Sequence, residues 1–144
     1  MVERTFEIDD SSLCRRICGF RDRNIKAIEK ILDVSIIPRG NTLIVTSPRE
    51  QGEKAMRLLH LMSDYLVVKD GTFEFDDFDI KYLAASLDRG TVVSAKDIER
   101  LKIVIPESGR SIAPRTVNQA NYITAIHRNP VTFSYGPAGT GKTY

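Results

Sequence analysis

No stretch of the sequence comes near the roughly 20 consecutive apolar residues needed to cross a bilayer as a helix. The N-terminus, MVERTFEIDD, is acidic and polar rather than basic and then apolar, so it lacks the pattern of a secretory signal. Both absences point to a cytoplasmic protein with no membrane partner. Two cysteines are too few for a disulfide-stapled scaffold. Cys14 and Cys18 share a helix face by their i, i+4 spacing, but neither His60 nor His127 is near in sequence to complete a metal site. They are read as reduced thiols filling a core rather than as ligands. There is no internal repeat and no low-complexity tract. Charge of one sign is also scarce overall: a net +2 does not imply nucleic acid by itself. Its distribution says more, because residues 11–30 hold six basic groups and residues 64–79 hold six acids, a split that predicts different surfaces or different parts of the architecture.

What is present fits a soluble globular chain, 42% hydrophobic and 28% charged. Its 144 residues suffice for one ordinary domain, or for a small domain and part of another. Residues 5–9 alternate weakly, with Phe6 and Ile8 on one face, and predict a strand. Ser11 or Ser12 is placed to cap a helix with the face Leu13, Cys14, Ile17 and Cys18, and Gly19 ends it. A second helix is predicted over residues 23–32, with Ile25, Ile28, Ile31 and Leu32 inward. A strand follows over 33–37, then the turn residues Pro38-Arg39-Gly40-Asn41 and a returning strand over 42–46. Residues 49–66 read as a third helix with the stripe Ala55, Leu58, Leu59, Met62 and Leu66.

The order strand, helix, helix, strand, strand, helix predicts a three-stranded sheet backed by three helices. With the glycine-led loop Gly19-Phe20-Arg21-Asp22 it resembles the KH fold, which binds single-stranded RNA. In that family a GxxG loop lets the nucleic-acid backbone come close, beside a helix N-terminus that favours phosphate. Asp22 stands where the second glycine would be, placing a negative charge toward phosphate; the plainer reading makes it the N-cap of the second helix. The resemblance implies an RNA surface at Gly19, Arg21, Arg23 and Lys26, against the alternative of a solvated helix face.

After Val68 the character changes. Lys69-Asp70-Gly71 signals a turn, and Asp76 or Asp77 is placed to cap a helix holding Phe78, Ile80, Leu83, Ala84 and Leu87, closed by Asp88-Arg89-Gly90. This acidic stretch reads as a connector packed loosely on one neighbour. Residues 102–106 and 111–114 flank Glu107-Ser108-Gly109-Arg110 as a small hairpin. The expected organisation is residues 1–70, the KH-like unit; 71–100, the acidic helical connector; and 101–144, the start of a second domain. The fold class is mixed α/β (α+β).

The most specific signal comes last. Gly136-Pro137-Ala138-Gly139-Thr140-Gly141-Lys142-Thr143 satisfies G-x-x-x-x-G-K-[ST], with Tyr144 directly after it. The glycines let successive N–H groups point inward as a nest for phosphate oxygens. Lys142 supplies charge to the β- and γ-phosphates, and Thr143 a hydroxyl to Mg2+. Residues 131–135 are β-forming and predict the strand that precedes such a loop. Upstream, Gln119 sits at the start of an amphipathic helix through Ala120, Tyr122, Ile123 and Ile126. In helicase-like P-loop enzymes a glutamine so placed reads adenine, because its amide donates to N7 while accepting from the N6 amino group. Tyr122 is either a base-stacking residue or part of the helix core.

Pro114-Arg115-Thr116, Asn118-Gln119 and Tyr122, followed by Thr132-Phe133 and GPAGTGKTY, resemble the beginning of the ATPase domain of PhoH-type proteins. CGFRDRNIKAIEKILDVSIIPRGN resembles the KH-like region of the same family, including an Asp after the loop glycine. The resemblance implies a cytosolic, helicase-like ATPase that uses ATP and Mg2+ and is linked to RNA metabolism and phosphate starvation. It further implies RNA and RNA-processing enzymes as partners, and a homo-oligomer for the full-length protein. The expectation is then an N-terminal fragment of such an ATPase. Without the acidic strand that holds magnesium for hydrolysis, it would have no turnover of its own. The alternative is a stand-alone KH-like RNA-binding or adaptor module to which the tail is incidental.

Overall fold

Phe6 turns into the core while its strand neighbours face outward, and that alternation builds the first strand, β1 (Val2–Glu7). Asp10, rather than Ser11 or Ser12, caps α1 (Ser11–Cys18), its carboxylate accepting from the Ser12 N–H. The extended backbone of Asp10 lets a short acidic side chain reach back over the first turn, which a residue already inside the helix does not do. Helix α2 (Arg23–Leu32) follows with the bounds expected from its apolar spacing. Strands β2 (Ser35–Arg39) and β3 (Thr42–Ser47) and helix α3 (Arg49–Val68) complete the order. The structure, a computed structural model, describes residues 1–68, 73–92 and 94–139. The chain divides into two units, residues 1–95 and 96–144.

In the first unit the three strands form an antiparallel sheet in the order β1-β3-β2. Phe6 lies opposite Leu43, and Ile36 opposite Val45, which sets the buried face. Pro38 and Arg39 belong to β2 rather than to the turn; the hairpin turn is Gly40-Asn41 alone. A strand proline is tolerated here because β2 is an edge strand and needs no N–H on its outer side. Helices α1 and α3 pack together, and α3 covers β1 and β3. Ile17, Ile28, Leu43, Val45, Leu58, Leu59 and Met62 are fully buried between them. Each such side chain contributes about 1.5–3 kcal/mol by leaving water.

Gly52 is an exception to helix propensity with a packing cause. A Cβ there would stand 2.5 Å from both Arg4 Nη1 and Ser47 Oγ. Ser47 is short, buried and donates to Pro48 O, so it has no room to give. The approach lets Arg4 bond the Arg49 carbonyl at 3.1 Å, which ties β1 to the start of α3.

The stretch expected to be a loose connector is integral to this unit. Helix α4 (Asp77–Arg89) is closed at its start by a reciprocal capping box between Asp76 and Asp79 and at its end by Gly90. It packs on both α2 and α3 through Ile80, Leu83, Ala84 and Leu87, with Phe75 buried just before it. Asp77, Lys81, Asp88 and Arg89 are exposed, Lys54 pairing with Asp88, whereas Asp79 is buried in the capping box. Phe78, unlike the other apolar residues of this helix, is exposed and stacks on Tyr82.

The second unit holds all but the first residue of α5 (Ala95–Arg100), a small antiparallel hairpin of β4 (Ile103–Val104) and β5 (Ser111–Ile112), and α6 (Val117–Arg128). The short helix α5 was not expected. The hairpin is shorter than its flanking apolar residues suggested, and Gly109 supplies a left-handed turn with φ +65°. Residues 131–135 do not form the expected strand. Val131, Phe133 and Tyr135 are exposed, and no partner strand lies beside them among the described residues. A strand exists through its hydrogen-bonded ladder, so β-forming composition without a neighbour leaves extended chain. Among the described residues no helix is long and apolar enough to cross a membrane.

Candidate functional site

The first candidate site grows from the end of α1. Gly19 adopts φ +73° and ψ 172°, a backbone region essentially reserved to glycine. Asn24 fills the space beside it, within 2.8 Å of where a Cβ would stand. This asparagine, 2% exposed, donates through Nδ2 to the Arg16 and Ile17 carbonyls at 3.3 and 3.1 Å. It thereby closes the open C-terminal end of α1 from the first turn of α2. Among the described residues its Oδ1 is buried without a hydrogen-bond partner. Sequence reasoning missed Asn24, because a polar residue at a helix start ordinarily faces water; its place just after a glycine-led loop is the signal that was there.

Between Gly19 and α2 the chain makes one tight turn, Phe20–Asp22, in which Arg21 and Asp22 are both left-handed, with φ of 53° and 59°. The Asp22 carboxylate does not cap α2. An N-cap needs extended backbone for its side chain to reach the following N–H groups, and a left-handed residue aims it elsewhere. Asp22 occupies a conformation that glycine adopts freely, at a cost of about 1 kcal/mol for any other residue. Lys26 Nζ donates to the Arg21 carbonyl at 3.3 Å, holding the turn from the helix side. The Arg21 guanidinium lies over the Phe20 ring, 5.2 Å from its centre, and the ring itself is exposed.

This loop forms one wall of a cleft of about 650 Å³. The start of α1 lines it at Ser11 and Arg15, and the hairpin turn closes the far side at Gly40 and Asn41. Cys14 Sγ, 3.6 Å from the Gly40 carbonyl, ties helix to hairpin. Four arginines (Arg15, Arg16, Arg21 and Arg23) line the cleft, against Asp22 and Glu74. Arg16 donates to the Leu66 and Phe73 carbonyls and Arg23 to the Phe75 carbonyl at 2.8 Å. The basic and acidic stretches, expected on different surfaces or in different parts of the architecture, therefore meet: α4 folds back against α2, and the arginines hold the chain that leads into it. Of the four expected RNA-facing residues, Gly19 and Arg21 shape the loop, Lys26 braces it, and Arg23 is committed to Phe75.

Cys14 and Cys18 are free and buried, and both line the cleft. Burial first, then the neighbouring Cys14 and Asp22, push the Cys18 thiol from 9.0 up to about 12. Burial likewise pushes the Tyr65 phenol from 10.0 to about 12, helped by Tyr82 and Asp79. Both groups stay protonated in the folded protein over a range where the unfolded chain has already released the proton. Their contribution is therefore complete below pH 9 and is lost as pH rises toward 12. Urea titrations are expected to give a lower midpoint at about pH 10.5 than at pH 8, and Cys18→Ala should flatten that difference.

The second candidate site lies in the other unit. Thr116 caps α6, its hydroxyl accepting from the Gln119 N–H, while Gln119 Oε1 accepts from the Arg115 N–H at 2.7 Å. Gln119 is thus held at the exposed start of the helix with its amide oriented, and the oxygen keeps a second lone pair for another donor. Tyr122 is 38% exposed rather than in a core. In the phosphate-loop sequence, Gly136, Pro137, Ala138 and Gly139 are exposed, and Gly139 turns with φ +75° and open space where a Cβ would stand. Thr140, Gly141, Lys142, Thr143 and Tyr144 lie outside the described residues.

Residues 111–144 match the PhoH family, described as PhoH-like protein. Over 126 residues the chain is 32% identical to a PhoH-like protein of Bacillus subtilis (strain 168), covering 88% of this chain and 39% of that protein. It is 29% identical over 128 residues to one of Mycobacterium leprae (strain TN), covering 89% of this chain and 36% of the relative. A PhoH-like protein of Synechocystis sp. is 25% identical over 128 residues, with 89% of this chain and 38% of that protein covered. The chain thus spans less than two fifths of the length of these relatives. No solved structure matches it significantly. The chain thus carries a stretch that matches the PhoH family at residues 111–144, and its likeness to PhoH-like proteins runs through nearly all of the remaining residues.

Proposed function

We propose that the chain binds ATP with Mg2+ through residues 136–143, and that the whole protein is a cytoplasmic, helicase-like ATPase linked to RNA metabolism and phosphate starvation. The observation that carries this reading is the complete G-x-x-x-x-G-K-[ST] motif inside the stretch matched to the family. Gly139 fits the role, since its left-handed turn is what a nest of inward N–H groups needs and none of the described residues stands in the space where a Cβ would lie. In this reading Gly136, Gly139 and Gly141 bring backbone N–H groups to the phosphates, Lys142 supplies charge and Thr143 the hydroxyl for Mg2+. Bound Mg2+ would neutralise charge on the phosphates. Gln119, with its amide already oriented by Arg115, recognises adenine.

Nucleotide preference tests the assignment. The chain is expected to bind ATP better than GTP. Gln119→Ala should reduce that preference about tenfold, through loss of two hydrogen bonds to the base, with helix content checked by circular dichroism. Equal affinity of the wild-type chain for both nucleotides would contradict the role of Gln119.

A second reading, compatible with the first, concerns the unit at residues 1–95, in which the KH-like arrangement binds single-stranded RNA along the cleft beside Gly19. It is favoured by the antiparallel sheet order β1-β3-β2 with paired helices and by the arginines gathered at that cleft. RNA and RNA-processing enzymes are the partners it implies, and the full-length protein is proposed to work as a homo-oligomer.

A further inference from the structure

We infer that Phe20 is a base-stacking residue: one nucleobase of a single-stranded RNA lies on the open face of its ring while the phosphate backbone follows the adjoining arginines. The inference rests on the RNA reading of the cleft and adds what recognises the base. Phe20 is 78% exposed, although a single exposed phenylalanine needs no explanation on its own. Its setting supplies one. The ring stands on the lip of the arginine-lined cleft, at the tip of a turn built from a glycine-only conformation and two left-handed residues in succession. Such backbone persists only when the surroundings hold it, here through Asn24 under Gly19 and Lys26 on the Arg21 carbonyl. The turn therefore presents the ring in a fixed place rather than on a loose tip. Arg21 covers one face of the ring at 5.2 Å, leaving the other for a planar partner and placing a cation in the same stack. Aromatic faces flanked by basic side chains are how single strands are held without reading sequence, because every base has a π-face.

Charge decides between a nucleic acid and an acidic protein segment less clearly than the ring does. A protein would bury Phe20 edge and face alike, whereas the covered face and the adjoining cleft leave a slot for a flat group. Stacking on one face also predicts tolerance of base identity.

The test uses the whole chain and a fluorescein-labelled single-stranded RNA of about 12 nucleotides at low salt, followed by anisotropy, beside the same strand made fully abasic. Phe20→Leu is expected to weaken binding of the base-bearing strand about tenfold and to leave the abasic strand unchanged. Phe20→Trp should bind as the wild type does, and as the chain's sole tryptophan its emission should be quenched by the base-bearing strand only. If Phe20→Leu binds the base-bearing strand like the wild type, or weakens both strands equally, stacking is overturned while the RNA reading stands. If the wild-type chain binds neither strand, the RNA reading itself fails, stacking falls with it, and the ring belongs to a protein contact.

Discussion

Gly19→Ala is expected to destabilise the first unit by about 3 kcal/mol. Two costs combine. The backbone at φ +73° and ψ 172° is strained for any residue with a Cβ, by roughly 1–3 kcal/mol. The new methyl also falls 2.8 Å from the Asn24 side chain, which is packed and cannot swing into solvent without opening the core. If Asn24 yields, the Arg16 and Ile17 carbonyls lose their donor, at a further cost of about 1–3 kcal/mol if they stay buried. Gly40→Ala makes the control. Gly40 is also left-handed, with φ +60°, but none of the described residues lies within 4 Å of its would-be Cβ, so a loss of about 1 kcal/mol is expected. Urea unfolding of the two variants should separate them by about 2 kcal/mol. Equal losses would show that the turn conformation, and not Asn24, sets the cost.

The same pair of residues shows where sequence reading stops. The i, i+3, i+4 spacing of Ile25, Ile28 and Leu32 located α2 to the residue, because burying one helix face is a local demand written in local spacing. The core stripe of α3 was legible for the same reason, although the helix runs on to Val68. Asn24 was not, since its role comes from the carbonyls of a different helix that the Gly19 turn brings back over it. Nor was the docking of α4: its acids suggested a solvated connector, whereas its apolar side finds both α2 and α3. Residues 131–135 show the converse case, in which strand-forming side chains do not make a strand without a neighbouring ladder. At the candidate site, Gly19 and Arg21 could be picked from the loop pattern. Phe20 could not, because only the fold shows that its ring is held out at a cleft edge with Arg21 on one side.

The second large effect concerns the phosphate loop, where sequence chemistry carries the argument because Lys142 lies outside the described residues. A lysine that follows the last glycine of this motif makes a charge-assisted contact with the β- and γ-phosphates. Removing such a partner from a charged group costs about 2 kcal/mol, or roughly thirtyfold in affinity. The role assigned to Lys142 is toward the nucleotide and not toward a core, so Lys142→Ala should unfold like the wild type while losing nucleotide. Lys142→Arg keeps the charge but not the compact ammonium, and should fall between the two. Calorimetric titration of Mg-ATP into the wild-type chain and into Lys142→Ala puts the central claim to its most direct trial. The account predicts saturable binding to the wild type, weakened roughly thirtyfold or lost in the variant. A folded wild-type chain that takes up no Mg-ATP, or a variant that binds it equally well, would contradict the assignment of residues 136–143 as a phosphate-binding loop.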